Sequence, residues 1–221
     1  MSSSRRAWIK QASFSIAALG LGESLSAEPM WVREDARKLI LLNSNENAFG
    51  PSKKVVQAIT AAANRSNRYP DDEIQVLINK LASHHQVGNE NITMTAGSTE
   101  VLSMTATLAA KQKGNAVTAE PSFNFWTKIA SGAGLSITRV PVNGERKLDL
   151  EKMRAAINAE TRLVYVCNPN NPVGNYIEHE KLKAFVEECS RTSLVLVDEA
   201  YTEFAGIPSL TPLALVNKNI I

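Results

Sequence analysis

The sequence has little from which to build a disulfide scaffold or a metal centre. Its two cysteines, Cys167 and Cys189, are too few for a framework of bridges and lack metal-ligand spacing. Both read as small buried hydrophobes. Three histidines give no metal signature: His84 and His85 sit at an expected helix end, His179 at an expected helix start. An excess of charge of one sign is also missing. Lys plus Arg (24) against Asp plus Glu (22) leaves a formal charge of +2, with no block of like charge. Neither nucleic acid nor an anionic membrane surface is indicated by that balance. No apolar run after the first 27 residues is long enough to cross a bilayer, and there is no internal repeat or low-complexity linker. What is present is ordinary for a soluble globular chain: 44% apolar and 21% charged residues, in 221 residues that can build one substantial core.

The first residues read as an address. Residues 4–10, Ser-Arg-Arg-Ala-Trp-Ile-Lys, are similar to the twin-arginine export motif, with Trp8 and Ile9 in its hydrophobic positions. A mildly apolar stretch from Ala12 to Leu21 follows, the length of a signal-peptide core and too short to span a membrane. Ser24, Ser26 and Ala27 offer cleavage points, although Leu25 departs from an ideal small-x-small site. The expectation is a signal peptide over 1–27, an N-terminal arm over 28–52 and the folded body from 53 onward, with an exported, periplasmic protein. The alternative is a cytoplasmic chain whose arginine pair is incidental.

From Lys53 onward, helical stripes alternate with short β-branched runs. Val55, Val56, Ile59, Ala62 and Ala63 form one stripe. Ile74, Leu77, Ile78 and Leu81 follow the i, i+3, i+4, i+7 spacing behind acidic Asp71–Glu73, which suits a helix N-terminus. Val101, Met104 and Leu108 line a third helix, and a fourth starts near Ser122. Leu150, Met153 and Ile157 line a fifth behind Asp149 as N-cap; Leu182, Phe185, Val186 and Cys189 line another. Strands are expected at Ile92–Ala96, Ala116–Glu120, Ile137–Val142, Leu163–Asn168 and Leu194–Asp198. The last two are nearly continuous apolar runs, as strands buried on both faces should be. Alternation of this kind predicts an α/β fold with a largely parallel sheet and right-handed crossovers.

Polar groups cluster at the strand ends, where open α/β sheets bind ligands. Leu194–Val197 runs into Asp198-Glu199-Ala200-Tyr201, and Leu163–Cys167 into Asn168-Pro169-Asn170-Asn171-Pro172-Val173-Gly174. Ile92–Ala96 is followed by Gly97-Ser98-Thr99-Glu100, and Ala116–Glu120 by Pro121-Ser122-Phe123. Singly, Gly-Ser-Thr before a helix is an N-cap and Asn-Pro with Gly is a turn. A carboxylate ending a buried strand is less easily dismissed, because it needs a specific partner.

Together these segments resemble the class I/II aminotransferases, which are fold type I pyridoxal-phosphate enzymes, in the histidinol-phosphate aminotransferase style. Asn45-Glu46-Asn47 and Arg68-Tyr69-Pro70-Asp71 add to the match, which runs from about Ile40 to the end with its motifs in family order. The resemblance implies the large domain of a three-layer α/β/α fold, with strands in the order 3-2-4-5-6-7-1. It also implies amino-group transfer between an amino acid or amine and a 2-oxo acid, within amino-acid metabolism. Residue by residue, Asp198 matches the carboxylate beside the pyridine nitrogen, whose protonation makes the ring an electron sink. Asn171 and Tyr201 match the pair that hydrogen-bonds the ring's 3-oxygen. Ser98 and Thr99 match the phosphate cradle at a helix N-terminus. Phe123 matches the aromatic stacked on the ring, where many relatives carry Tyr. Tyr69 matches a tyrosine that reaches the phosphate of a neighbouring subunit, implying a homodimer with shared sites. Asn45-Glu46-Asn47 is expected near the substrate, and Val173 replaces the commoner Thr.

The family's imine-forming lysine lies in a Ser-x-x-Lys segment after a further strand, and Lys218 does not match it. The expectation is therefore a C-terminally truncated, incomplete large domain, inactive as written and folding poorly. It would lack the lysine, the carboxylate-clamping arginine, the small domain and the seventh strand. The resemblance leaves two rivals open, a non-catalytic remnant and a decarboxylase of the same fold.

Overall fold

A computed structural model describes residue 40 and residues 42–221. The expected signal peptide and most of the N-terminal arm lie outside the described residues. The chain divides into two compact units, residues 1–67 and Arg68–Ile221.

In the first unit, α1 (Lys53–Ala62) starts at Ser52, whose hydroxyl oxygen accepts from the Val55 amide at 3.3 Å. None of its residues is buried. The stripe expected to face a core is open, with Ile59 63% exposed. The described part of this unit is one helix, a short helical turn and irregular chain, which together cannot cover a helix face.

The second unit, Arg68–Ile221, holds the core. Its first helix, α2 (Asp71–His85), has Asp71, Asp72 and Glu73 in its first turn and ends at Gln86 in left-handed backbone, φ 55°. The segment expected to form a strand at Ile92–Ala96 does not: no residue of it belongs to a strand. A strand needs a neighbour to satisfy its amides and carbonyls, and no described segment pairs with it.

The sheet itself is parallel throughout. Strands β1 (Asn115–Glu120), β2 (Ser136–Pro141), β3 (Thr161–Cys167) and β4 (Leu194–Asp198) lie in the order β2-β1-β3-β4. Residues 219–221 run beside β4: the Val195 amide donates to the Asn219 carbonyl at 2.7 Å, and the Ile221 amide to the Val195 carbonyl at 2.9 Å. Counting Ile92–Ala96 as the first expected strand and residues 219–221 in sixth place, that is the 3-2-4-5-6 part of the implied order.

Helices cover both faces. On one lie α5 (Leu150–Ala156) and α6 (His179–Cys189), packed through Met153, Leu182, Phe185, Val186 and Cys189 onto Val117, Val164, Val166 and Val195. Asp149 caps α5, its carboxylate accepting from the Lys152 amide at 3.1 Å. Hydrogen bonding to the Lys152 side chain, then to its amide, holds the Asp149 carboxyl below the usual range. On the other face lie α3 (Ser98–Ala109) and α4 (Phe125–Gly132), packed through Leu102, Ala106, Ala109, Trp126 and Ala130 onto Ala116, Leu163, Tyr165, Cys167 and Leu196.

The inward face of α3 differs from the expected one. Leu102, Thr105, Ala106 and Ala109 are buried, whereas Met104 is 55% exposed and Leu108 is also exposed. Close approach explains this. Small Ala106 and Ala109 let the helix settle against the Trp126–Tyr165 stack, and Thr105 accepts the Trp126 indole N–H at 3.1 Å. Two short helices, α7 (Thr202–Ala205) and α8 (Thr211–Val216), follow β4.

Candidate functional site

Successive side chains of a strand alternate between faces, so Leu163, Tyr165 and Cys167 point together towards α3 and α4. In the β3–β4 register Cys167 lies opposite Asp198, and Tyr165 is two residues back on the same face. The Tyr165 hydroxyl donates to Asp198 Oδ2 at 2.8 Å, and the Ala200 amide donates to Oδ1 at 3.2 Å. The Asp198 main chain is tied as well, its carbonyl accepting from the Asn168 amide at 3.0 Å. Asp198 is half-buried while Tyr165 is fully buried, its ring stacked on Trp126 with centroids 5.4 Å apart and planes 11° from parallel. Burial, reinforced by Cys167 and Asp198, pushes the Tyr165 phenol well above its ordinary range. It stays a donor at any working pH. Burial, and next the Asp198 charge, pushes the Cys167 thiol up to about 12.

The loop after β3 wraps the same edge. Asn168 Oδ1 accepts from the Ile177 amide at 2.8 Å, and the Gly174 amide donates to the Asn170 carbonyl, with Gly174 in left-handed backbone at φ 79°. Asn170 is buried and bridges to the loop after β1. Its Nδ2 donates to the Pro121 carbonyl at 2.9 Å, and its Oδ1 accepts from the Ser122 hydroxyl at 2.8 Å. The Cys167 thiol donates to the Pro169 carbonyl at 3.4 Å, and the nearby main chain of Asn171 and Phe123 opposes the rise in its pKa. Phe123, half-buried, stacks on Phe125 at 6.2 Å. Asp198, Asn171 and Phe123 are thus gathered around Tyr165 and Cys167 at one end of the sheet.

The other expected residues stand as follows. Ser98 and Thr99 open α3 in its exposed first turn; the cap position is Gly97, φ 77°, which has no side chain to offer. Glu100 Oε2 accepts from the Ala96 amide at 2.8 Å and closes that turn. Tyr201 is half-buried immediately before α7, its carbonyl accepting from the Ala205 amide at 3.1 Å. Tyr69 is 95% exposed ahead of α2. In the first unit, Asn47 closes its own turn: Nδ2 donates to the Gly50 carbonyl at 2.9 Å, and Oδ1 accepts from the Phe49 amide at 3.0 Å.

Sequence reasoning passed over Tyr165 and Asn170, and gave Glu199 no role. Glu199 pins the loop before α8, accepting from the Ser209 hydroxyl and from the Leu210 amide at 2.7 Å. For Tyr165 a signal existed: a lone hydroxyl in an apolar run, on the face of the terminal carboxylate. At the surface, His84, His85 and Glu203 bring ligand atoms within 4.8 Å of one another, a grouping the spacing did not anticipate. An open cavity of about 410 Å³, lined by His85, Ile92, Val197, Glu199, Leu210 and Ile220 among others, contains none of the expected cofactor residues. Among the described residues no helix is long and apolar enough to cross a membrane.

Known proteins resemble this chain in sequence and in fold. The chain is 34% identical over 216 residues to histidinol-phosphate aminotransferase of Bacillus cytotoxicus, covering 96% of this chain and 58% of that one. A solved Erwinia carotovora atroseptica structure superposes with a TM-score of 0.72 at 33% identity, over 80% of this chain and 53% of that one. The Sinorhizobium meliloti histidinol-phosphate aminotransferase, solved in complex with pyridoxal-5'-phosphate, superposes with a TM-score of 0.65 at 28% identity, over 81% and 53%. The chain spans little more than half the length of these relatives. The profile of the aminotransferase class I and II family matches residues 37–219, and the chain belongs to that family.

Proposed function

We propose that this chain serves a pyridoxal-phosphate-dependent aminotransferase, moving an amino group between a donor such as histidinol phosphate and a 2-oxo acid in amino-acid biosynthesis. The observation that carries this reading is Asp198: a carboxylate at the end of a buried parallel strand, anchored on both oxygens yet half-open to solvent. The donor set fits the cofactor. Asp198 supplies an anion for a protonated ring nitrogen, Phe123 a flat apolar face, Asn171 and Tyr201 polar groups for the ring oxygen, and the α3 N-terminus with Ser98 and Thr99 a place for a dianion. Bound there, pyridoxal phosphate supplies an electron sink for the carbanion formed at the substrate's Cα. The chain's own contribution is to hold and orient it. Asp198 keeps the ring-nitrogen proton, Phe123 covers one ring face, and the buried Asn170 bridge fixes the loops that present Phe123 and Asn171.

The named relatives support histidinol phosphate as donor. A homodimer is part of the reading: Tyr69, 95% exposed, is free to reach the cofactor phosphate of a second subunit. So is export, on the strength of Arg5 and Arg6.

The test is a titration of the full chain with pyridoxal phosphate, read by equilibrium dialysis and by induced circular dichroism in the cofactor's absorption band. Saturable binding is expected, weakened at least tenfold in Asp198→Ala, since a hydrogen bond to a charged group contributes about 1.5–3 kcal/mol. No saturable binding, or equal binding in Asp198→Ala, would sink the reading.

A further inference from the structure

We infer that Tyr165 is a positioning residue for Asp198, its hydroxyl orienting the carboxylate that meets the cofactor's ring nitrogen so that the proton they share stays on the ring. The inference rests on the function proposed above.

Geometry carries it. An ionised carboxylate offers about four lone-pair positions. The Tyr165 hydroxyl takes one on Oδ2 at 2.8 Å and the Ala200 amide one on Oδ1 at 3.2 Å. Both oxygens are thus held from the protein side, with lone pairs left for a donor arriving from the open side. The phenol cannot wander. Its ring is fully buried and stacked on Trp126, and Trp126 is in turn held by the Thr105 hydroxyl at 3.1 Å. A chain of contacts therefore runs from α3 through α4 and β3 to the carboxylate on β4.

The consequence concerns one proton, which can sit on the ring nitrogen with the carboxylate ionised, or on the carboxyl with the ring neutral. A hydroxyl donating to the carboxylate favours the charged pair, because it stabilises the anion more than the neutral acid. Only the charged pair leaves the ring electron-poor. Removing the hydroxyl weakens the hold on the ring-nitrogen proton. It also leaves the carboxylate with one anchor fewer.

The experiment adds pyridoxal phosphate carrying a 15N label in its ring to the full chain, and compares it with Tyr165→Phe, which keeps the stack on Trp126. Dialysis affinity is expected to fall about tenfold, in the range for one charge-assisted hydrogen bond. The 15N resonance should move towards its unprotonated position at fixed pH. Asp198→Asn marks the limit of that shift. A second protein with ortho-fluorotyrosine at position 165, a stronger donor, should hold the protonated resonance to higher pH than the parent, and Tyr165→Phe should lose it at lower pH; a residue that only fills space would not produce opposite shifts. If Tyr165→Phe cannot be obtained folded, the fluorinated protein decides alone, and loss of the ring proton at the parental pH there overturns the inference. Parental values in both Tyr165 variants, with a shift in Asp198→Asn, would overturn the inference and leave the proposed function standing. A parent chain that does not bind, or an Asp198→Asn variant that behaves like the parent, would overturn both.

Discussion

The Ser122 hydroxyl donates to Asn170 Oδ1 at 2.8 Å across 48 positions of sequence, and the Asn170 amide nitrogen returns a bond to the Pro121 carbonyl at 2.9 Å. One buried side chain thereby ties the loop leaving β1 to the loop leaving β3. Both loops carry residues of the candidate site, Phe123 on one and Asn171 on the other.

Asn170→Ala should therefore be costly out of proportion to its size. It unpairs the Pro121 carbonyl and the Ser122 hydroxyl, both ends of part-buried hydrogen bonds, and an unsatisfied buried polar group costs about 1–3 kcal/mol. Thermal or denaturant unfolding should show a loss in that range, accompanied by weaker pyridoxal-phosphate binding as both loops loosen. Asn170→Asp keeps the acceptor for Ser122 but loses the donor to Pro121, and should fall between. An alanine variant as stable as the parent would mean that the bridge contributes nothing.

The inward face of α3 gives a paired prediction. Leu102→Ala empties a buried site and should destabilise by about 2–5 kcal/mol. Met104→Ala, two residues on, trims a 55%-exposed side chain and should stay within about 0.5 kcal/mol of the parent. Equal losses in urea unfolding would restore the face expected from side-chain bulk.

That pair also shows how far the sequence could be read. The alternation of strands and helices was legible because Leu163–Asn168 and Leu194–Asp198 are apolar runs ending in polar motifs, whereas the strand order came only with the family resemblance. The capping role of Asp149 and the buried faces of α5 and α6 followed from local spacing. For α3 two stripes satisfied the same period, and the bulkier was the wrong choice. What decided was the gap left by Trp126 and Tyr165, which only the assembled layers define. Ile92–Ala96 has strand composition, yet composition supplies no neighbour, and it stays unpaired among the described residues. In the site, Asp198 was read from its motif. Its hydroxyl donor and the Asn170 bridge depend on cross-strand register and loop approach, which no local pattern encodes.

Export can be tested on the sequence alone. Replacing Arg5 and Arg6 together by Lys keeps the charge but removes the guanidinium pair that the twin-arginine resemblance rests on. The double variant should stay in the cytoplasm while the parent reaches the periplasm, as read by fractionation of a host that has the pathway. Equal periplasmic recovery would end the export reading.

The last prediction concerns alkaline pH. Cys167 lies on one face of the sheet and Cys189 on the other, and burial pushes both thiols up to about 12. An unfolded cysteine ionises near about 8.5. Between those values the folded chain holds a proton that the unfolded chain has lost, so stability is fully present below about 8.5 and falls as pH rises. Tyr165, whose phenol is also raised, joins only above about 10, the ordinary tyrosine value, so the interval below it isolates the thiols. The unfolding midpoint in urea should decline from pH 8.5 towards about 10, and Cys167→Ala with Cys189→Ala should flatten that decline while lowering stability at neutral pH. Reaction with a disulfide reagent gives a second reading. Because the thiolate is the attacking form, both cysteines should react slowly when folded and rapidly in denaturant. Fast labelling of either thiol in the folded chain, or an unchanged slope in the double variant, would show that these side chains are not shut in the core.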